Sequence, residues 1–233
     1  MFKYIVVGFL MLLNLEASTD EALKAFKNKD YATAFKLYEK SANSGDATAQ
    51  SALSYLYANG LGTKQDTSKS IEWLEKSASN GNATAQYDLG MFYLNGNSVK
   101  KDSKKAFELL SASSNQNNPN AQYNLALMYY NGDGADLNVS KSAELLESAA
   151  NGGHVVAKQN VGRVYMQLLN FEKAAEWFEK SAAAGDESSY YALAQIYCQL
   201  EKFDKAKVWT QKAIKSGNKE AELLYKKYEL DKY

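Results

Sequence analysis

The sequence predicts an all-α fold: about six antiparallel helix pairs stacked one on the next, closed by a capping helix at the C-terminal end. Three observations predict it. The chain repeats itself every 32 to 36 residues, its apolar residues recur at helical spacing, and it holds one Pro in 233 residues. Apolar residues three and four apart mark one face of a helix. Near-absence of Pro leaves helix interiors unbroken. Self-similarity at this period marks units that bury their apolar faces on one another.

Composition sets the outer limits. Lys and Arg number 27 against 27 Asp and Glu, so formal net charge is zero and the basic footprint of a nucleic-acid binder is missing. With 45% hydrophobic and 12% aromatic residues, there is ample material for a core. A single Cys excludes an internal disulfide framework. A single His, with that single Cys, excludes metal centres that need two of either, so neither metal nor cofactor is expected.

The elements follow in order. Met1 to Lys3 carry one positive charge, Tyr4 to Leu13 are apolar apart from Gly8, and Ala17 follows a few residues on. That stretch is too short for a membrane span, which needs about twenty residues. Charge, short apolar core and small residue form the order of a secretory signal peptide, predicted here as 1–17. In a bacterium this places the mature chain in the periplasm or outside the cell. Residues 18–233 then form one repeat domain, with units near 20–45, 46–81, 82–117, 118–153, 154–185 and 186–217 and a capping helix at 218–233.

Ser41-Ala-Asn-Ser-Gly-Asp-Ala-Thr-Ala-Gln50 returns almost unchanged as Ser77-Ala-Ser-Asn-Gly-Asn-Ala-Thr-Ala-Gln86. Its frame recurs at anchors Ala49, Ala85, Ala121, Ala157, Ser189 and Ala221, which lie 36, 36, 36, 32 and 32 residues apart. First helices carry small or apolar residues four and eight apart, as in Ala49, Leu53, Tyr57 and Ala85, Leu89, Tyr93. Second helices carry Ile71, Trp73, Leu74 and Ala78, a pattern repeated as Phe107, Leu109 and Leu110 with Ala112 nearby. Tyr57 to Trp73, Tyr93 to Leu109 and Tyr129 to Leu145 span 16 residues, whereas Tyr165 to Trp177 and Tyr197 to Trp209 span 12. The shorter units therefore lose four residues between their two helices. Asn59-Gly60, Asn95-Gly96 and Asn131-Gly132 read as helix ends. Asp66, Asp102 and Asn138 read as N-caps of second helices.

Ala85-x-x-x-Leu89-Gly90-x-x-Tyr93-x-x-Gly96, followed by Asp102, Lys105, Ala106 and an aromatic, resembles the Sel1-like repeat. The 32-residue units resemble the related tetratricopeptide repeat, and the resemblance covers essentially the whole mature chain. It implies a right-handed α-solenoid whose first helices line a concave groove and which serves as a binding scaffold. Carried over by position, the groove residues are Tyr55 and Asn59; Tyr87, Met91 and Asn95; Tyr123, Leu127 and Asn131; Arg163; and Tyr191. These make a surface rich in Tyr and Asn and nearly uncharged, suited to a protein or peptide partner.

Two other classes are weighed. A cysteine-rich branch of the family is associated with penicillin binding and β-lactam hydrolysis, and Ser98-Val-Lys-Lys101 and Lys215-Ser-Gly217 superficially match serine-enzyme triplets. A loop and a turn are the wrong places for that chemistry, and the paired cysteines are missing, so no catalytic residue is assigned. A cell-wall glycan is the other alternative partner. Asn138-Val-Ser140, with Asp136 two residues before it, is a candidate glycosylation site. His154 reads as a solvated residue at an exposed turn, and Cys198 as a semi-buried thiol with no His to activate it. Export is directly testable: N-terminal sequencing of protein recovered outside the cytoplasm should start near Ser18, whereas an intact Met1 on cytoplasmic protein contradicts it.

Overall fold

The structure, a computed structural model, describes residues 19–233, so the expected signal peptide lies outside the described residues. All regular structure among them is helical. The chain packs as two compact units that divide after Ala121. The N-terminal unit holds α1 (19–27), α2 (Tyr31–Asn43), α3 (Ala47–Asn59), α4 (Thr67–Ser79), α5 (Ala83–Asn95) and α6 (Ser103–Asn115). The C-terminal unit holds α7 (Pro119–Asn131), which starts just before the division, α8 (Val139–Asn151), α9 (Val155–Gln167), α10 (Phe171–Ala183), α11 (Ser188–Gln199), α12 (Phe203–Lys215) and α13 (Lys219–Lys227). A 3₁₀ turn, Leu230–Lys232, follows. Helices pack in chain order, α2 on α3 through to α5 on α6 in one unit and α8 on α9 through to α12 on α13 in the other, giving the expected all-α fold of antiparallel pairs.

Each first helix begins in the same way. Gly45, Gly81, Asn117, Gly153, Gly185 and Gly217 turn the chain with positive φ between +62° and +95°. One residue later a side chain accepts the backbone N–H of the anchor: Asp46 from Ala49 (2.7 Å), Asn82 from Ala85 (2.9 Å), Asn118 from Ala121 (3.2 Å), His154 from Ala157 (3.1 Å) and Asn218 from Ala221 (2.9 Å). These bonds satisfy N–H groups that the first turn of a helix leaves open. All six anchors are 0% exposed. A larger side chain at these places would push the helices apart.

A second small position lies five residues on, at Ser54, Gly90, Ala126, Gly162 and Ala194, all buried. A Cβ on Gly90 would stand 2.9 Å from Leu110 Cγ, and one on Gly162 would stand 3.0 Å from the Phe178 ring. Glycine there lets the second helix of the same pair lie against the first.

The two repeat lengths differ where the sequence places the difference. In the longer units Gly60, Gly96 and Gly132 end the first helix in the left-handed region, with φ of 63°, 72° and 70°. In the shorter units Leu169 and Glu201, with φ of 56° and 55°, do the same duty within a three-residue turn. Asp66, Asp102 and Asn138 cap the second helices as expected, each accepting from the N–H three residues on. One contact survives the change of length. Lys69 and Lys105 stand 5.3 and 5.1 Å from the rings of Tyr57 and Tyr93, twelve residues back. Lys173 and Lys205 stand 4.9 Å from Tyr165 and Tyr197, only eight residues back. The missing four residues are looped-out length, and the cation–π contact between paired helices is common to both kinds of unit.

The units differ in how neighbouring pairs are tied by polar bonds. In the N-terminal unit Ser77 donates to Ala47 O and Ser113 to Ala83 O, each at 2.6 Å. Gln50 and Gln86 donate to Ala42 O and Ala78 O at 3.1 Å, while their own carbonyls accept from Asn80 (2.9 Å) and Gln116 (2.8 Å). In the C-terminal unit a carboxylate does this work. Tyr165 and Lys173 both donate to Glu147, at 2.5 and 2.8 Å, and Tyr197 donates to Glu179 at 2.5 Å. Burial raises the Glu147 pKa, but the bonds from Lys173 and Tyr165 outweigh it and hold the group below the usual carboxylate value.

Two contrasts test this packing. Ser113 and Ser142 are both 0% exposed, but only Ser113 has a hydrogen-bond partner; the Ser142 hydroxyl has none in the structure. Urea denaturation should show Ser113→Ala costing about 1–2 kcal/mol, and Ser142→Ala nothing or a small gain. Gly90→Val should cost about 1–3 kcal/mol through the clash with Leu110.

Candidate functional site

Successive first helices do not touch along their whole length, and clefts open between them. In the N-terminal unit the cleft between α3 and α5 has a volume of about 500 Å³. Ser51, Tyr55 and Ala58 form one wall, Asp88 and Phe92 the other, and Ser70 with Leu74 the floor. In the C-terminal unit the cleft between α7 and α9, about 320 Å³, repeats this frame: Tyr123, Leu127 and Tyr130 face Asn160 and Val164 over Ser142 and Leu146. The cleft between α9 and α11, about 370 Å³, repeats it once more with Gln159, Arg163 and Met166 facing Ala192 over Phe178. Counterparts lie 72 residues apart, two repeats, between the first and second of these clefts, and 36 or 32 apart between the second and third. The clefts are a property of the repeat, and their chemistry is set by which residue fills each place.

The sequence-predicted groove residues are distributed over these walls unevenly. Tyr55 is 54% exposed and meets Phe26 edge to face at 6.1 Å. Leu127, 37% exposed, and Arg163, also exposed, line clefts of the C-terminal unit, as do Tyr123 and half-buried Tyr191. Tyr87 and Met91 are half-buried on α5 and are not among the residues lining the α3–α5 cleft. Asn59, Asn95 and Asn131 are the exposed last residues of their helices, and Asn59 donates back to Tyr55 O at 2.9 Å.

Two expectations need correction. Tyr123 is not a free ring on a surface: His154 stacks on it with centroids 4.2 Å apart and planes 17° from parallel. The groove is also not free of charge inside its walls. Asp88 stands half-buried in the α3–α5 cleft, and burial holds its carboxyl above the usual value. The sequence reading took one wall of each cleft, the face of Tyr55, Tyr123 and Leu127, and passed over Asp88 and Asn160 on the wall that faces it. Tyr130, on the same wall as Leu127 and donating to Gln167 at 2.9 Å, was also passed over.

The repeat frame decides the family. The Sel1 repeat model matches residues 25–46, 47–82, 83–118, 119–154, 160–186 and 188–218. The chain belongs to the Sel1 repeat family. Among solved structures, it is 25% identical to a protective antigen of uropathogenic Escherichia coli strains that displays an SLR fold, with a TM-score of 0.70 over 89% of this chain. The chain spans only 47% of the length of that protein. A Sel1 repeat protein from Oxalobacter formigenes is 24% identical over 88% of this chain and 84% of that one, with a TM-score of 0.65. None of the curated proteins matches this chain.

Within the Sel1 frame the remaining singled-out residues take clear places. Ser98 is exposed in the loop after α5, and Lys215, Ser216 and Gly217 form the exposed end and turn of α12. Asn138 is exposed, with its side-chain oxygen accepting from Lys141 N–H at 2.9 Å. Cys198 is more deeply placed than the sequence suggests, at 3% exposed, and burial pushes its thiol up to about 11. No described helix is long and apolar enough to cross a membrane.

His154 is the largest departure from expectation. It is half-buried and stands in the N-cap place that Asp46, Asn82, Asn118 and Asn218 fill in other Sel1 repeats. Its Nδ1 accepts from Ala157 N–H, which requires the neutral ring, and burial lowers its pKa from the ordinary 6.5. A depressed folded-state pKa means stability present above 6.5 and lost as pH falls from there toward the lowered value. Urea midpoints at pH 7.5 and 5.0 should therefore fall more for the wild type than for His154→Asn, which keeps a cap that does not titrate. The difference should reach at most about 1 kcal/mol, the worth of an N-cap. Equal pH slopes would show that His154 does not titrate with unfolding.

Proposed function

We propose that this Sel1 repeat protein is an exported, non-enzymatic scaffold that holds protein or peptide segments in the clefts between successive first helices. The recurrence of one cleft frame in both units supports the reading: walls from first helices, a second-helix floor, and a different side-chain set in each cleft. Tyr55, Leu127 and Tyr130 are large apolar side chains left exposed on these walls. Tyrosine offers wide contact area at small entropy cost, and clefts of a few hundred Å³ fit single side chains of an extended segment. Charged residues such as Glu72 and Glu75 are exposed on α4, where they serve solvation.

Crosslinking in cells followed by affinity purification supplies partners, and two double variants sort them. Tyr55→Ser with Tyr130→Ser should weaken a true partner by at least about 1 kcal/mol for each ring engaged, with helical circular dichroism unchanged. Glu72→Ala with Glu75→Ala should leave affinity as it was. Equal binding by both variants would move the site off the clefts, and hydrolysis of a β-lactam such as nitrocefin by the purified protein would overturn the non-enzymatic reading.

A further inference from the structure

The three clefts share a frame but not a charge. At the place of Asp88 the other first helices carry Ala52, Asn124, Asn160 and Ala192, so nothing in the repeat requires a carboxylate there. Among the described residues Asp88 makes no hydrogen bond or ion pair. It lines the cleft together with Phe92 of its own helix, Tyr55 of α3 and Leu74 of α4, and Phe26 of α1, which meets the Tyr55 ring, extends this lining on the far side of α3. Removing a carboxylate from water without a counter-charge is unfavourable, and burial already holds this one above its usual pKa. A lone carboxylate offers too few ligands for a metal ion, and no metal-binding group of His, Cys, Asp or Glu exists among the described residues.

A basic side chain meets every feature of this cleft. Its alkyl stem can lie along Phe26, Leu74 and Phe92, aromatic faces attract its charge, and its head can donate to the carboxylate. A neutral or acidic side chain would leave Asp88 unpaired or repel it. Resting on the peptide-scaffold reading above, we propose that the α3–α5 cleft is the subsite for a lysine or arginine side chain of a bound peptide, with Asp88 as its counter-ion and Phe26, Tyr55 and Phe92 as its walls.

The probe is the blocked peptide acetyl-Gly-Gly-Lys-Gly-Gly-amide, titrated into the ¹⁵N-labelled full-length mature chain, with norleucine and glutamate replacing lysine in two control peptides. The lysine peptide should give saturable amide shifts confined to α3 and α5 around Ser51, Tyr55 and Asp88. The norleucine peptide should bind roughly tenfold more weakly, as expected for loss of one charged hydrogen bond, and the glutamate peptide weaker still. Asp88→Asn, which copies the residue at Asn160, should bring lysine affinity down to the norleucine level. Unchanged lysine affinity in Asp88→Asn, shifts scattered over the exposed acidic residues, or no saturable shift at all would each overturn the subsite. Should the subsite fail while Tyr55→Ser with Tyr130→Ser still releases a cellular partner, the scaffold reading stands without it. If the lysine peptide binds as stated but no partner responds to those two changes, the subsite stands and the wider reading falls.

Discussion

The close approach of neighbouring helices at one place per repeat is the constraint from which the remaining structure follows. Ala49, Ala85, Ala121, Ala157, Ser189 and Ala221 have no exposed surface at all, and each is held by a cap three residues before it or, at Ser189, by Asp186 through its hydroxyl. Protein interiors are packed too tightly to absorb an added methylene without strain. Once this contact and the small residue at Gly90 or Gly162 are fixed, the second helix has one place to lie. The bulky side chains then fill what is left: Leu53, Leu56 and Tyr57 in one cluster, Trp177, Phe178 and Leu193 in another.

Against that shared geometry the two units use different chemistry for the same task. Ser77, Ser113, Gln50 and Gln86 tie helix pairs together through neutral bonds to backbone carbonyls, which are insensitive to salt and to pH near neutrality. Around Glu147 and Glu179 the ties are ionic and phenolic, and the bond from Tyr197 to Glu179 keeps that phenol protonated well above its usual range, burial being the larger cause. Of these ties, the one at Glu147, whose pKa is held below the usual carboxylate value, is lost as pH falls through that lowered value.

Most of the fold was legible in the sequence because its signals are local or periodic. The anchors, the Asn-Gly ends, the Asp66, Asp102 and Asn138 caps and the four-residue difference in length all follow from backbone rules that act over a few residues. What was not legible depended on a neighbour. Whether Gln50 was a surface amide or a buried tie is decided by Ala42 and Asn80, eight and thirty residues away. A rotation of one residue about the helix axis, only 100°, separates Tyr87 from Asp88, and apolar periodicity alone does not resolve which of two adjacent residues faces a cleft. His154 was read as solvated because nothing in its own segment shows that Tyr123 covers its ring.

Cys198 gives the molecule an internal clock for its own opening. It is the one thiol in the chain, on α11, 3% exposed and with a pKa near 11. In the closed state it is both shielded and protonated, so an added thiol reagent has neither access nor a thiolate to attack. Labelling must wait until the packing of α11 against its neighbours opens, and its rate measures how often that happens. Because helices in a stacked array contact chiefly their neighbours, such lifting need not accompany unfolding of the whole chain. Comparing the labelling rate with global unfolding would separate loosening at this one layer from collapse of the array, with no label or substitution introduced beforehand.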